Sequence, residues 1–112
     1  MLRCAEQAPV ELELWQAEWC PHSHRVRQRL TELGLPYVAR QVPAVRQQRD
    51  ELRRLTGRTT VPVLVHRGRI VADEREILGY LEQHFAEPQG AAEHREKAQE
   101  KELEWVAAHA AV

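Results

Sequence analysis

The chain has 112 residues, enough for one domain with its own core and well above the roughly 40 residues below which disulfides or metals become necessary. Its 43% hydrophobic and 29% charged content suits a water-soluble fold, and a net charge of −1 gives no electrostatic ground for binding nucleic acid or an anionic membrane. No apolar run approaches the roughly 20 residues that span a bilayer, and the N-terminus lacks the apolar stretch of a secretory signal, so the cytoplasm is the expected compartment.

Residues 1–9 read as an N-terminal tail, residues 10–86 as the domain proper and residues 91–110 as a helical extension. Period-two alternation over residues 10–16, with Val10, Leu12 and Leu14 on one face and Glu11, Glu13 and Trp15 on the other, predicts a strand. A loop with Trp19 leads to Cys20-Pro21-His22-Ser23. Pro21 suits a first helical position, where its missing N–H costs nothing. Val26, Leu30 and Leu33 continue at helical spacing until Gly34, a left-handed cap. Residues 35–42 predict a second strand, parallel to the first because a helix separates them; Pro43 ends it. Residues 44–56 predict a charged helix with Val45, Leu52 and Leu55 inward, stopped by Gly57. Residues 61–66 and 69–71 predict a hairpin about Arg67-Gly68. A helix opening at Ala72 or Asp73 turns Ile77, Leu78, Leu81 and Phe85 inward and ends before Pro88. Residues 92–110 are rich in helix formers, with Leu103, Val106 and Trp105 on or near a narrow apolar stripe.

The chemistry centres on Cys20, a thiol at a strand-to-helix junction. Uncapped N–H groups and the positive end of a helix dipole favour an anion there. Cysteines so placed can have strongly lowered pKa values. An ordinary thiol, with a pKa near 8.5, is only a few per cent ionised at neutral pH. Lowering that to about 5 takes roughly 5 kcal/mol, at 1.36 per unit. A helix terminus supplies at most about 2 kcal/mol, so hydrogen bonds and cations must supply the rest; His22, His24 and Arg25 are candidates. Against this stands Cys20 as a small buried hydrophobe and the histidines as solvated helix-surface residues. Cys4 and Cys20 do not form a Cys-x-x-Cys pair, so no metal is expected; a disulfide between them is conceivable. The basic run from Arg46 to Arg54, interleaved with Gln, Asp and Glu, reads as a solvated helix face.

Three segments in order carry a family resemblance over about residues 11–85. Trp19-Cys20-Pro21-His22-Ser23 resembles the Cys-Pro-x-Cys or Cys-Pro-x-Ser site of glutaredoxins and the Cys-Pro site of cysteine-bearing glutathione transferases. Thr59-Thr60-Val61-Pro62-Val63-Leu64 is similar to the Thr-Val-Pro segment whose proline is cis in that superfamily. The stretch from Val71 to Leu81 is similar to the transferase pattern Glu-Ser-x-x-Ile-x-x-Tyr-Leu. The resemblance implies an α/β thioredoxin fold in its glutaredoxin-like form, β-α-β-α-β-β-α with an extra C-terminal helix.

The resemblance implies glutathione, or a similar small thiol, as co-substrate. Cys20, Pro21 and Ser23 fall at the catalytic positions, with Cys20, Thr60, Val61, Pro62, Asp73 and Glu74 at the glutathione-binding positions. Val61 would pair with the cysteinyl backbone of glutathione as an added strand does. Asp73 would meet its ammonium group. Glu74 departs from the family's Ser, and Val71-Ala72 replaces the Gly-Gly of glutaredoxins. Asp73 as a helix cap, with Glu74 complementing the helix dipole, is the structural alternative. Arg40, Arg46, Arg58 and His66 are candidate partners for the glycine carboxylate, Arg58 foremost.

With Ser23 in place of a second cysteine, Cys20 must be released from any mixed disulfide by another thiol. The expectation is a monothiol oxidoreductase acting on glutathionylated proteins. The first alternative is a stand-alone transferase N-terminal-like domain. The stretch after Phe85 is too short for the helical domain that holds bulky electrophiles. The second is a non-catalytic glutathione-binding or interaction module, docking through the last helix and Trp105 on a partner or in a homodimer. A cluster-carrying monothiol glutaredoxin is disfavoured, because those usually carry Cys-Gly-Phe-Ser and Pro21 replaces the small residue.

Overall fold

The computed structural model describes residues 11–109. The expectations for the 1–9 tail, Cys4, Val10 and Ala110 lie outside them. Alternation governs the first strand, β1 (Leu12–Gln16): Leu12, Leu14 and Gln16 are buried, while Glu13 and Trp15 turn to the other face and stay half-buried. Gln16 is tolerated inside because its amide donates to the Gln41 side chain at 2.9 Å and accepts from Arg27. Helix α1 (Pro21–Glu32) follows, with Pro21 in its first turn and Val26 and Leu30 fully buried.

Strand β2 (Val38–Gln41) is shorter than residues 35–42, and all four of its residues are exposed. Val42 still donates its N–H to the Gln16 carbonyl at 3.2 Å, which holds the chain beside the end of β1. A 3-10 turn (Arg46–Gln48) and helix α2 (Asp50–Thr56) replace the continuous helix expected over 44–56. Arg49, at φ −87° and ψ 61°, breaks it. Its guanidinium is drawn inward to three backbone carbonyls, and α2 restarts at Asp50-Glu51, whose charges suit a helix N-terminus. Of the three apolar residues expected inward, only Leu52 is buried; Val45 and Leu55 are exposed.

Strands β3 (Val63–His66) and β4 (Arg69–Ala72) form the expected hairpin. Its turn residues Arg67 and Gly68 have φ of 51° and 81°, the positive pair that matches a hairpin's twist. Helix α3 (Glu74–His84) buries Ile77 and Leu81, and α4 (Ala91–His109) ends the described span.

The sheet order is β2-β1-β3-β4, with β1 parallel to β2 and antiparallel to β3. This is the α/β thioredoxin-like arrangement with an added C-terminal helix. The core joins Leu12, Leu14 and Leu64 of the sheet to Val26, Leu30 and Leu33 near α1 and to Ile77 and Leu81 of α3. Leu52 lines a cavity of about 320 Å³ with Trp15, which puts α2 over the opposite face. The Trp15 indole N–H is buried there without a protein partner.

Helix α4 joins the body at its start. Ala91 is buried, and Arg95 reaches Glu32 at 3.3 Å and Glu87 at 3.2 Å. The stripe expected on this helix is not covered by any of the described residues: Leu103, Trp105 and Val106 are exposed. Among the described residues no helix is long and apolar enough to cross a membrane.

Candidate functional site

Cys20 occupies the N-cap of α1. Its N–H donates to the Ala17 carbonyl at 3.1 Å, and its carbonyl accepts from the His24 N–H at 3.0 Å, closing the first helical turn. Pro21 brings no N–H, and the Cys20 side chain makes no capping bond, so the His22 and Ser23 N–H groups have no side-chain cap. The sulfur therefore stands at the positive end of a twelve-residue helix. It is also sheltered: Cys20 is 7% exposed, while neighbouring Trp19 is 68% exposed. Ser23 is fully buried, and its Oγ accepts from the Ala17 N–H at 3.4 Å. That contact braces the turn carrying Cys20.

A groove of about 250 Å³, lined by His22, Arg58, Thr60, Val61, Pro62, Asp73 and Glu74, reaches the first turn of α1 at His22, and Cys20 itself is not among its lining residues. Five of the expected binding residues thus meet in one place, and Arg58 meets them. The Val61–Pro62 peptide is cis, and the Pro62 carbonyl accepts from the Asp73 N–H at 3.2 Å. This bond joins the start of β3 to the start of α3. Asp73 caps α3 through its backbone, accepting from the Ile77 N–H at 3.0 Å, and its carboxylate makes no cap bond. Its φ of 82° is a conformation that costs a non-glycine residue of order 1–3 kcal/mol.

Glu74 ties α3 to α1. Its carboxylate accepts from Arg25 Nε at 2.6 Å and lies 2.6 Å from His22 Nδ1. The Arg25 and His22 hydrogen bonds hold its pKa below the ordinary 4.5, against a smaller opposing effect of burial. The same hydrogen bond with Glu74 raises the pKa of Arg25. Where the resemblance implies a hydroxyl, this chain has a carboxylate held by the Arg25 and His22 side chains of α1. Arg40 pairs with Glu13 at 3.1 Å, and His66 Nδ1 lies 2.6 Å from the Tyr80 hydroxyl, so both are engaged elsewhere. Arg46 lies in the turn before α2. No group of three or more potential metal ligands occurs among the described residues.

Arg49 is the residue that sequence reasoning missed. It is 3% exposed and, among the described residues, hydrogen-bonds only to main-chain carbonyls: Pro43 at 2.7 Å, Thr59 at 2.8 Å and Ala44 at 3.3 Å. Burial lowers its pKa and repulsion from Arg46 acts the same way. In the sequence it is one arginine among several in a charged run; no periodicity marks it as buried.

Residues 19–84 match the family described as glutathione S-transferase, N-terminal domain. No curated protein matches the chain. Among solved structures, a rice glutathione transferase in complex with glutathione is 29% identical over 76% of this chain and 41% of its own, with a TM-score of 0.62. A glutathione transferase homologue of Drosophila mojavensis with bound glutathione is 25% identical over 69% of this chain and 36% of its own, with a TM-score of 0.63. A trimeric glutathione transferase of Leishmania is 26% identical over 70% of this chain and 18% of its own, with a TM-score of 0.62. The chain thus spans well under half the length of these structures.

Proposed function

The chain belongs to the glutathione S-transferase N-terminal domain family, and from that premise we propose that it is a monothiol, glutathione-dependent thiol-disulfide oxidoreductase acting through Cys20. The observation that carries this reading is the thiol at the uncapped N-terminus of α1, beside the groove lined by Thr60, Val61, Pro62 and Asp73. Glutathione suits such a groove. Its cysteinyl backbone would add as a strand to Val61, its ammonium would meet Asp73, and its glycine carboxylate would meet Arg58. Its γ-glutamyl carboxylate would receive the first N–H groups of α3. Two relatives of the same fold are solved with glutathione.

In the proposed cycle the Cys20 thiolate attacks the glutathione sulfur of a glutathionylated protein. The new S–S bond forms as the old one breaks, and the substrate leaves as a thiolate. A second glutathione thiolate then attacks the mixed disulfide on Cys20, releasing oxidised glutathione and restoring the Cys20 thiolate. Ser23 keeps the cycle monothiol. The reading assigns the protein to the cytoplasm, where thiols are kept reduced.

The test is turnover of a mixed disulfide between cysteine and glutathione, with glutathione in excess. The expected result is activity in the parent and at least a hundredfold loss in Cys20→Ser; unchanged turnover in that variant overturns the proposal. The 7% exposure of Cys20 favours a second reading, a non-catalytic glutathione-binding module. Saturable glutathione binding by calorimetry, with no turnover in the parent, selects it.

A further inference from the structure

Arg49 is a buried cation without a buried anion beside it. No carboxylate lies within ion-pair distance of it among the described residues, and its three hydrogen bonds go to neutral carbonyls. Removing a guanidinium from water is costly unless an opposite charge offsets it. Its position shows which charge is near. The Val42 N–H bonds the Gln16 carbonyl, so Pro43 follows alongside the end of β1, whose chain turns through Ala17 into Cys20. Arg49 holds Pro43 and Ala44 on that side and Thr59, three residues before Pro62, on the other. The guanidinium therefore bridges the two backbone segments that flank the Cys20 turn and the groove. An ionised Cys20 would attract this charge, the one influence opposing burial and the repulsion of Arg46.

We propose that Arg49 is a positioning residue for the Cys20 chemistry: it braces the segment leading to Val61–Pro62 and supplies the buried positive charge that favours the Cys20 thiolate. This rests on the reading of Cys20 as the nucleophile. The other charges on neighbouring elements are poorly placed for that task. Arg25 and His22 on α1 are more than half exposed and committed to Glu74. Glu18, before Cys20, is exposed and lies 3.7 Å from Arg27. Arg46, Arg58 and Asp73 are exposed and screened by water. A buried charge is screened far less, so Arg49 acts on the sulfur at any ionic strength.

The experiment follows carbamidomethylation of Cys20 by iodoacetamide from pH 4 to 9. In that reaction the thiolate forms an S–C bond and iodide leaves. Peptide-resolved mass spectrometry separates Cys20 from Cys4. Arg49→Gln keeps donors for the carbonyls and removes the charge; Arg49→Lys keeps the charge and loses the planar fork. The expected result is a pH midpoint higher by about one unit in Arg49→Gln, with about tenfold slower alkylation at pH 6, and a midpoint near the parent's in Arg49→Lys. Urea unfolding of each variant accompanies the profiles. A midpoint in Arg49→Gln within about 0.2 unit of the parent's, under about 0.3 kcal/mol at 1.36 per unit, leaves Arg49 a brace alone and overturns the proposal. If Arg49→Gln does not fold, Arg49→Lys decides: a folded lysine variant with a raised midpoint also overturns it. A parent whose Cys20 reacts no faster than free cysteine at pH 6 fails the reading of Cys20 itself, a result distinct from either.

Discussion

Glu74 shows how one side chain changes what a site can hold. A carboxylate at the start of α3 suits the helix dipole but would repel an anionic ligand. Here Arg25 and His22 reach across from α1 and offset it. Because these contacts hold its pKa below the ordinary 4.5, Glu74 binds fewer protons folded than unfolded. Its contribution is complete above that value and is lost as pH falls through the lower, folded one. Because the Arg25 and His22 side chains are both more than half exposed, the effect is about 0.5–1 kcal/mol. Glu74→Gln is therefore expected to be less stable than the parent by that amount at pH 7 in urea titrations, the gap closing as the pH falls below the ordinary carboxylate value. At this scale the sequence spoke unevenly. Cys20, Pro62 and Asp73 stood out because a helix start, a strand start and a cap each restrict which residues fit. The Glu74 partnership did not, since Arg25 and His22 lie on another helix. Arg49 was hidden because burial of an arginine depends on carbonyls that only the folded chain assembles.

At the scale of elements, Glu32 joins α1 to α4. It is 6% exposed and accepts from Gln28, Arg29 and Arg95 at 3.2, 2.9 and 3.3 Å. Burial acts to raise its pKa, but the hydrogen bonds from Gln28 and Arg29 and the charge of Arg95 together outweigh it and hold the value below 4.5. Glu32→Gln leaves two arginines sharing only Glu87 and is expected to cost about 2 kcal/mol in urea unfolding at neutral pH. That deficit shrinks as the parent is acidified below its carboxylate range, because the parent then loses the same charge. Element types were legible from period alone, most clearly in β1 and α1, where apolar spacing and Pro21 agree. The ends were not. β2 begins at Val38 rather than 35, and the helix expected over 44–56 is broken at Arg49 because a side-chain demand for carbonyls overrides local helix preference.

For the whole molecule, the order of elements and the three local motifs sufficed to reach the thioredoxin-like fold. Short connections and one parallel crossover leave few ways to arrange four such strands. The final helix was legible as a helix but not in its placement, since its stripe is too narrow to name a surface to cover. Ala91 and Arg95 anchor its first turns, while every residue from Gln99 to His109 is exposed. Helical stretches this short are marginal in water without packing. Amide hydrogen exchange along Ala91–His109 should thus form a gradient, slow near Ala91 and close to random-coil rates beyond Lys101; uniform slow exchange across the helix would contradict it. The same geometry makes the outer half of α4 a handle on a folded body. It is expected to loosen before the body does, and because α4 meets α1 at Glu32, the end of that helix opposite Cys20, the groove is expected to keep its shape as this end frays.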